Sequence, residues 1–437
     1  MSRVLARPGS GQRVKRRRAW GDAEFTLPMD LVQLPFASVG ETWDEKGRGV
    51  GHARAAEKPG QIKPGHDTGE NRGDGWKVSA GGVHVMQRFT CECGNVLFFD
   101  SSRCLRCGEA VGYDPVAGGM RPVRPGDPVK LCANGTRHGV CNWLVPADGA
   151  ETLCPACRMN RTIPDVTSSR NLLLWARMEM AKRRLLHSLL RLGLRLSSKV
   201  EDAEHGLAFD IVSTLCNPSV TTGHLNGVIT VNLEEADDTY RQINRQQLGE
   251  NSRTLLGHFR HESAHYLWRR HLSGLAWEDP MRRAFRERFG DEWLDYASAL
   301  QAHYQHGARA DWEQDFISAY AASHPWEDWA ETWAHYLQIV DGLETCESLG
   351  IQVKHLAVPL VMLPVEAGFL PVMLVSSTEE DGAFLAWLQR WMCLSVVLNE
   401  ISHSIGEPPL YPFVISVRVA QKLRLAHRFA GDWSGRG

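Results

Sequence analysis

The chain has 437 residues, 43% hydrophobic and 23% charged, with a formal net charge of −2. That length predicts two or three domains, and the apolar content is ample for a sizeable core. The near-neutral balance excludes whole-chain attraction to nucleic acid or an anionic membrane, and no apolar run reaches the ~18 residues of a membrane span.

Residues 1 to about 84 are rich in Gly, Pro and charge and show little periodicity, so they are expected to be largely disordered. Lys15-Arg16-Arg17-Arg18 is followed by no apolar segment and fails as a signal peptide. That basic cluster reads as a solvated tail rather than a nucleic-acid arm.

Cysteines then crowd together. Cys91, Cys93, Cys104 and Cys107 form two tight pairs, and Cys132, Cys141, Cys154 and Cys157 form a less regular quartet. Thiolates paired across short turns make zinc knuckles, and two knuckles complete a closed tetrahedral Cys₄ centre. The competing disulfide framework needs an oxidising compartment. With no secretory signal visible, two structural zinc centres and a cytoplasmic location are expected. Cys216, Cys346 and Cys393 stand alone in apolar contexts and read as buried thiols.

After a linker at Thr162–Asp165, Ser168 or Ser169 is placed to cap a helix running to about Leu196. Its buried stripe is Leu172, Trp175, Ala176, Ala181, Leu185, Leu189 and Leu192, with Lys182-Arg183-Arg184 on a solvated face. From Val220 to Asn232, two β-prone runs flank Asn226-Gly227, a hairpin-turn signal. His224, near that turn, reads as a surface histidine, the alternative being that it faces the active-site cleft. The segment Thr254–Arg270 reads as a helix and carries His261-Glu262-Ser263-Ala264-His265. Histidines four apart share one helix face and can grip a single Zn²⁺, while Glu262 flanks it to take a proton from water.

A third ligand is needed, and the residues following His265 lack the Gly-x-x-His by which some zinc peptidases supply a third histidine, so a distal carboxylate is expected. Residues 280 to 320 look helical and Trp-rich. Pro325 suits the start of the next helix, whose apolar stripe is Trp326, Trp329, Ala330, Trp333 and Leu337. Glu327 and Glu331 lie together beside that stripe, and like charges so close call for a cation or a hydrogen bond to compensate them. Spacing alone does not say which of them binds metal. Beyond, residues 355 to 375 are apolar and Pro-punctuated, and helices follow at about 380–402 and 412–428.

His-Glu-x-x-His with a distal Glu-x-x-Ala-Glu helix resembles the gluzincin class of zinc metallopeptidases. That resemblance implies Glu327 as the ligand and Glu331 as the carboxylate buttressing a histidine. Tyr320 matches a tyrosine that some families of the class use to stabilise the oxyanion; the alternative is a core aromatic beside Phe316. With the cysteine block, the chain resembles a bacterial family of zinc-binding metallopeptidases with an N-terminal zinc ribbon. The match is carried by Phe89–Asn95, Cys141–Val145, Val220–Leu233, Thr254–Tyr266 and the Glu327 helix. It covers about 86 to about 430, which makes residues before Met86 read as an extension from an upstream start codon.

The expected fold is therefore α+β: a mostly helical zincin-like metallopeptidase domain with a small β-hairpin or sheet, preceded by a double zinc ribbon. The expected divisions are 1–84 extension, 85–160 ribbons, 161–350 peptidase core and 351–437 helical support. Expected chemistry is peptide-bond hydrolysis with one catalytic and two structural Zn²⁺, on a peptide or protein substrate. The ribbons are expected to meet a protein partner or brace the fold; neither nucleic acid nor membrane is expected. The alternative is a zinc-ribbon module binding protein or nucleic acid, with an inactive peptidase-like body.

Overall fold

The computed structural model describes residues 89–434 except 195, 217–221, 249–253, 357, 359–368, 371–373 and 375–376. The expected extension at 1–84, and most of the apolar 355–375 stretch, lie outside the described residues.

Three antiparallel hairpins build the cysteine region: β1 (Phe89–Thr90) with β2 (Val96–Leu97), β3 (Val111–Asp114) with β4 (Gly119–Pro122), and β5 (Val129–Leu131) with β6 (Leu144–Pro146). Two short helices, α1 (Ala133–His138) and α2 (Pro155–Arg158), belong to the second quartet, with Cys132 and Cys154 as their N-cap residues. The body opens with β7 (Asn160–Thr162) and helix α3 (Ser169–Arg191). Next come β8 (Ala208–Val212), β9 (Gly223–Leu225) and β10 (Val228–Asn232). These four strands form one sheet in the order β7-β8-β10-β9, parallel except for the antiparallel hairpin β9/β10. The hairpin turns at Asn226 (φ 52°) and Gly227 (φ 81°), left-handed conformations that Asn and Gly tolerate best. The hairpin is the one the Asn-Gly signal implied, and the strand order makes β9 an edge of the sheet.

Helices follow: α4 (Asp238–Leu248), α5 (Leu255–His271), α6 (Pro280–Phe289), α7 (Tyr296–His306), α8 (Pro325–Ser348), α9 (Thr378–Ser404) and α10 (Val417–Ser434). The fold class is α+β. Among the described residues, no helix is long and apolar enough to cross a membrane. The core is tryptophan-rich: Trp329 and Trp333 are fully buried and stack at 5.8 Å, and Trp329 Nε1 donates to the Ala264 carbonyl at 3.0 Å. That bond ties α8 to the middle of α5 and so fixes the spacing of the two helices that carry the candidate metal ligands.

Four expectations need correction. Helix α3 is capped by Ser168 as read, but ends at Arg191, short of Leu196. Gly193 (φ 77°) closes it, with Leu194 N–H reaching Leu189 O and Gly193 N–H reaching Leu190 O, a left-handed stop that satisfies two end carbonyls. Lys182-Arg183-Arg184 is not a solvated face, because α3 is covered on that side by the ribbon and β7. Lys182 is fully buried and paired with Glu179 at 2.9 Å, Arg183 is buried and donates to the Val140 carbonyl, and Arg184 pairs with Asp100. Cys216 is exposed at a turn and Cys393 only partly buried; Cys346 alone of the three is buried. The last helix begins at Val417 rather than near 412, since Pro412 and the preceding turn keep the chain extended there.

Candidate metal centres and cleft

The first quartet, Cys91, Cys93, Cys104 and Cys107, converges with its sulfurs within 4.8 Å of one another, and so does the second, Cys132, Cys141, Cys154 and Cys157. Cross-contacts pair Cys91 with Cys107 at 3.7 Å, Cys93 with Cys104 at 3.6 Å and Cys141 with Cys154 at 3.7 Å. These separations are too long for disulfides and suit sulfurs spread around one tetrahedral ion. The Cys107 backbone N–H, ahead of burial and of the other donors, draws the Cys104 thiol down to about 6. The second quartet is wholly buried; burial pushes Cys154 well above the ordinary thiol value, while the neighbouring Cys141 sulfur, ahead of the others, draws Cys132 well below it.

In the body, α5 is capped by Thr254, whose Oγ1 accepts from Gly257 N–H, and α8 by His324 with Pro325 at its first position. On α5 His261 and His265 face α8, and their Nε2 atoms lie 3.2 Å apart. Glu327, 1% exposed in the first turn of α8, puts Oε2 3.0 Å from His261 Nε2 and Oε1 3.5 Å from His265 Nε2. His261 Nδ1 lies 2.7 Å from Glu331 Oε1, and Ser318 Oγ donates to Glu331 Oε2 at 2.7 Å.

These contacts fit a metal. With the Nδ1–H of His261 given to Glu331, the neutral ring presents a lone pair at Nε2, aimed at a second imidazole nitrogen and a carboxylate oxygen. Glu327 Oε2 is buried without an aligned hydrogen-bond donor despite its 3.0 Å approach. Three such donors meeting in a buried place suit a cation, and a proton on His261 takes that place when no ion is bound. Burial opposes the charged His261, but Glu327 and then Glu331 outweigh it and push the ring well above its usual value. Burial likewise opposes the charged Glu327, but His265 and His261 hold it well below the ordinary carboxylate range.

Glu262 sits beside this trio, 6% exposed. Burial raises its carboxyl, but the hydrogen bond from His258 and the neighbouring imidazoles overcome that and hold it near 2, an ionised carboxylate. The site opens into a cleft of about 2090 Å³, with β9 on one side and α7 on another. Tyr320 lies in a 3₁₀ turn, Tyr320–Ser323, with its ring 6.0 Å from that of His261. It lines the cleft, as does Ser318 two residues before it. His224, read as a surface residue, also lines the cleft: Nε2 accepts from Gly227 N–H at 3.0 Å, and burial lowers the ring to about 4.

Two features had no reading in the sequence. Tyr296, at the start of α7, donates its hydroxyl to Glu327 Oε1 at 2.8 Å. His258 lies between two carboxylates, with Nδ1 2.7 Å from Glu235 Oε2 and Nε2 3.2 Å from Glu262 Oε1. His258 could have been noticed, being one helical turn before Glu262; Tyr296 carries no sequence signal.

Known proteins resemble the chain along most of its length. Residues 88–168 match the model of a zinc-ribbon domain, and residues 171–429 match that of the family described as "Putative zinc-binding metallo-peptidase". Uncharacterized proteins of Mycobacterium tuberculosis and Mycobacterium bovis are each 40% identical over 343 residues, covering 78% of this chain and 94% of the relative. No solved structure matches. A zinc ribbon followed by a body matched over residues 171–429, with two histidines and a glutamate converging in its cleft, places the chain in the zinc-binding metallopeptidase family.

Proposed function

We propose that the chain is a zinc-dependent peptidase of gluzincin type, with the ion held by His261, His265 and Glu327. The observation that supports this best is the convergence of those three side chains beside an ionised Glu262 at the floor of a large cleft. Zinc bound there would lower the pKa of a water toward ~7 and polarise the scissile carbonyl. Glu262 takes the proton of the attacking water and returns it to the leaving amine. Glu331 fixes the tautomer and direction of His261. Tyr320 donates a hydrogen bond to the tetrahedral oxyanion, a contact worth about 3–4 kcal/mol of barrier. An extended peptide would pair with β9, the edge strand of the described sheet beside the cleft.

The two cysteine quartets would hold one structural zinc each, giving one catalytic and two structural ions. Thiolate centres of this kind belong to a reducing compartment, which favours the cytoplasm. With no open coordination position they brace the fold or meet a protein partner rather than catalyse. The division into 1–84, 85–160, 161–350 and 351–437 follows from these roles.

A digest of a broad peptide library tests the reading, with Glu262→Gln as control. Wild type should cleave, and Glu262→Gln should keep its zinc and fold while losing at least ~10²–10⁴-fold in rate. Equal inertness of the two proteins would overturn the peptidase reading in favour of a zinc-ribbon interaction module.

A further inference from the structure

Glu262 does not stand alone behind the metal trio. One turn earlier on α5, His258 spans the gap between Glu262 and Glu235, which comes from the 3₁₀ turn Leu233–Ala236 after β10. All three side chains are at most one-tenth exposed. Carboxylate oxygens only accept hydrogen bonds, so the ring donates at both ends: from Nδ1 to Glu235 Oε2 at 2.7 Å and from Nε2 to Glu262 Oε1 at 3.2 Å.

The two oxygens of Glu262 are thereby made different. Oε1 is engaged by His258. Oε2 is buried and has no hydrogen-bond partner among the described residues, an arrangement that costs about 1–3 kcal/mol unless a ligand completes it. Across from Oε2 stands Gly223 of the edge strand, where a Cβ would come to 4.0 Å of it. A glutamate has three rotatable side-chain bonds, and a catalytic group works only when held within about 0.5 Å of its productive place. A hydrogen bond to one oxygen, from a ring itself anchored at its far end, removes that freedom.

We propose that His258, anchored by Glu235, is a positioning residue that holds Glu262 by Oε1 and leaves Oε2 as the oxygen that carries the proton. The inference rests on the peptidase reading, and it adds a requirement that the metal trio does not contain.

The test uses full-length, zinc-loaded protein and three variants: His258→Ala, His258→Gln and Glu235→Gln. Zinc per chain, kcat and KM are measured on a peptide that wild type cleaves. His258→Ala should lower kcat by about 10–100-fold, with KM and zinc content unchanged, as losses behind a catalytic group commonly do. His258→Gln, whose amide N–H can still reach Glu262 from the previous turn, should recover part of that loss. Glu235→Gln, the milder change, should show the same split at smaller amplitude. A rise in KM at constant kcat, zinc loss in parallel with activity, or no recovery by His258→Gln would overturn the proposal. A second readout needs no hydrolysis. In histidine-labelled protein both ring N–H signals of His258 should be protected from exchange, and Glu262→Ala should expose the Nε2 signal while sparing the Nδ1 signal. Absence of protected ring signals sinks the positioning proposal whatever the activity. An inert wild type with those signals intact sinks the peptidase reading alone.

Discussion

The cysteine quartets and the His-Glu trio are both convergent donor sets, but the chain builds them in opposite ways. Sulfurs in contact are 16 and 11 residues apart in the first quartet and 13 in the second, where Cys132 and Cys154 cap short helices. The body's centre joins α5 to α8, with the His261–Glu331 contact spanning 70 residues. Each quartet brings four sulfurs together, the number that fills a tetrahedral ion. The trio stands in a cleft, with an ionised carboxylate beside it. A closed centre can be made from local turns. An open one needs helices held rigidly from behind, here by the Trp329–Ala264 bond.

The sharpest way to break that comparison is to remove one ligand of the open centre. His261→Ala or Glu327→Ala should abolish peptide hydrolysis and lower metal content from about three zinc ions per chain to about two, read by elemental analysis. In wild type the cleft ion should also leave first under mild chelation, because an open site exchanges faster than a thiolate cage. Loss of more than one ion on His261→Ala would mean that the centres are not independent.

The next largest effect falls where the two regions touch. Lys182 and Glu179 are fully buried and paired, so Lys182→Met strands an anion and should destabilise the protein by about 3–5 kcal/mol in urea unfolding. An unchanged midpoint would show that the ribbon and the body are not energetically joined through this pair.

A smaller effect sharpens the trio itself. Glu331→Ala should weaken zinc affinity or activity by only about 10–100-fold, against near-complete metal loss for Glu327→Ala. If Glu331→Ala strips the metal and Glu327→Ala keeps it, the two carboxylates exchange roles.

The smallest concerns acid. Burial lowers His427 to about 4, while an unfolded histidine titrates near ~6.5. As pH falls below ~6.5 the unfolded chain takes up the proton first, so this contribution to stability is complete above ~6.5 and is lost as pH falls toward 4. His427→Gln should therefore lose less stability than wild type between pH 7 and pH 5, measured by urea midpoints. Identical slopes would remove His427 from the acid response.

What could be read from the sequence was what lies within one or two turns of chain. Cysteine spacing, the i,i+4 histidines, the Asn226-Gly227 turn and the Ser168 cap each carry their geometry in a few residues. Lys182-Arg183-Arg184 misled because a run of three cations describes a solvated face unless partners come from elsewhere. For Arg184 and Arg183 those partners, Asp100 and the Val140 carbonyl, lie 84 and 43 residues away, while Lys182 pairs with Glu179 on its own helix. Tyr296 escaped for the same reason: its bond to Glu327 spans 31 residues and follows no period. His224 was misjudged because a turn histidine is ordinarily wet, whereas here the turn packs against α5, with its ring 6.1 Å from Tyr266.

The buried pair on α3 has one more consequence. Glu179 stands 4.0 Å from Cys157 Sγ, accepts from Asn160 of β7, and grips Lys182, which also donates to Asn160. A sulfur of the second quartet and the outermost strand of the body's sheet thus share one set of polar contacts. In the language of linkage, free zinc becomes a folding variable for both. Above saturation, each tenfold fall in the free ion withdraws about 1.4 kcal/mol from every state that needs the quartet intact, and the sheet that ends in β9 is among those states.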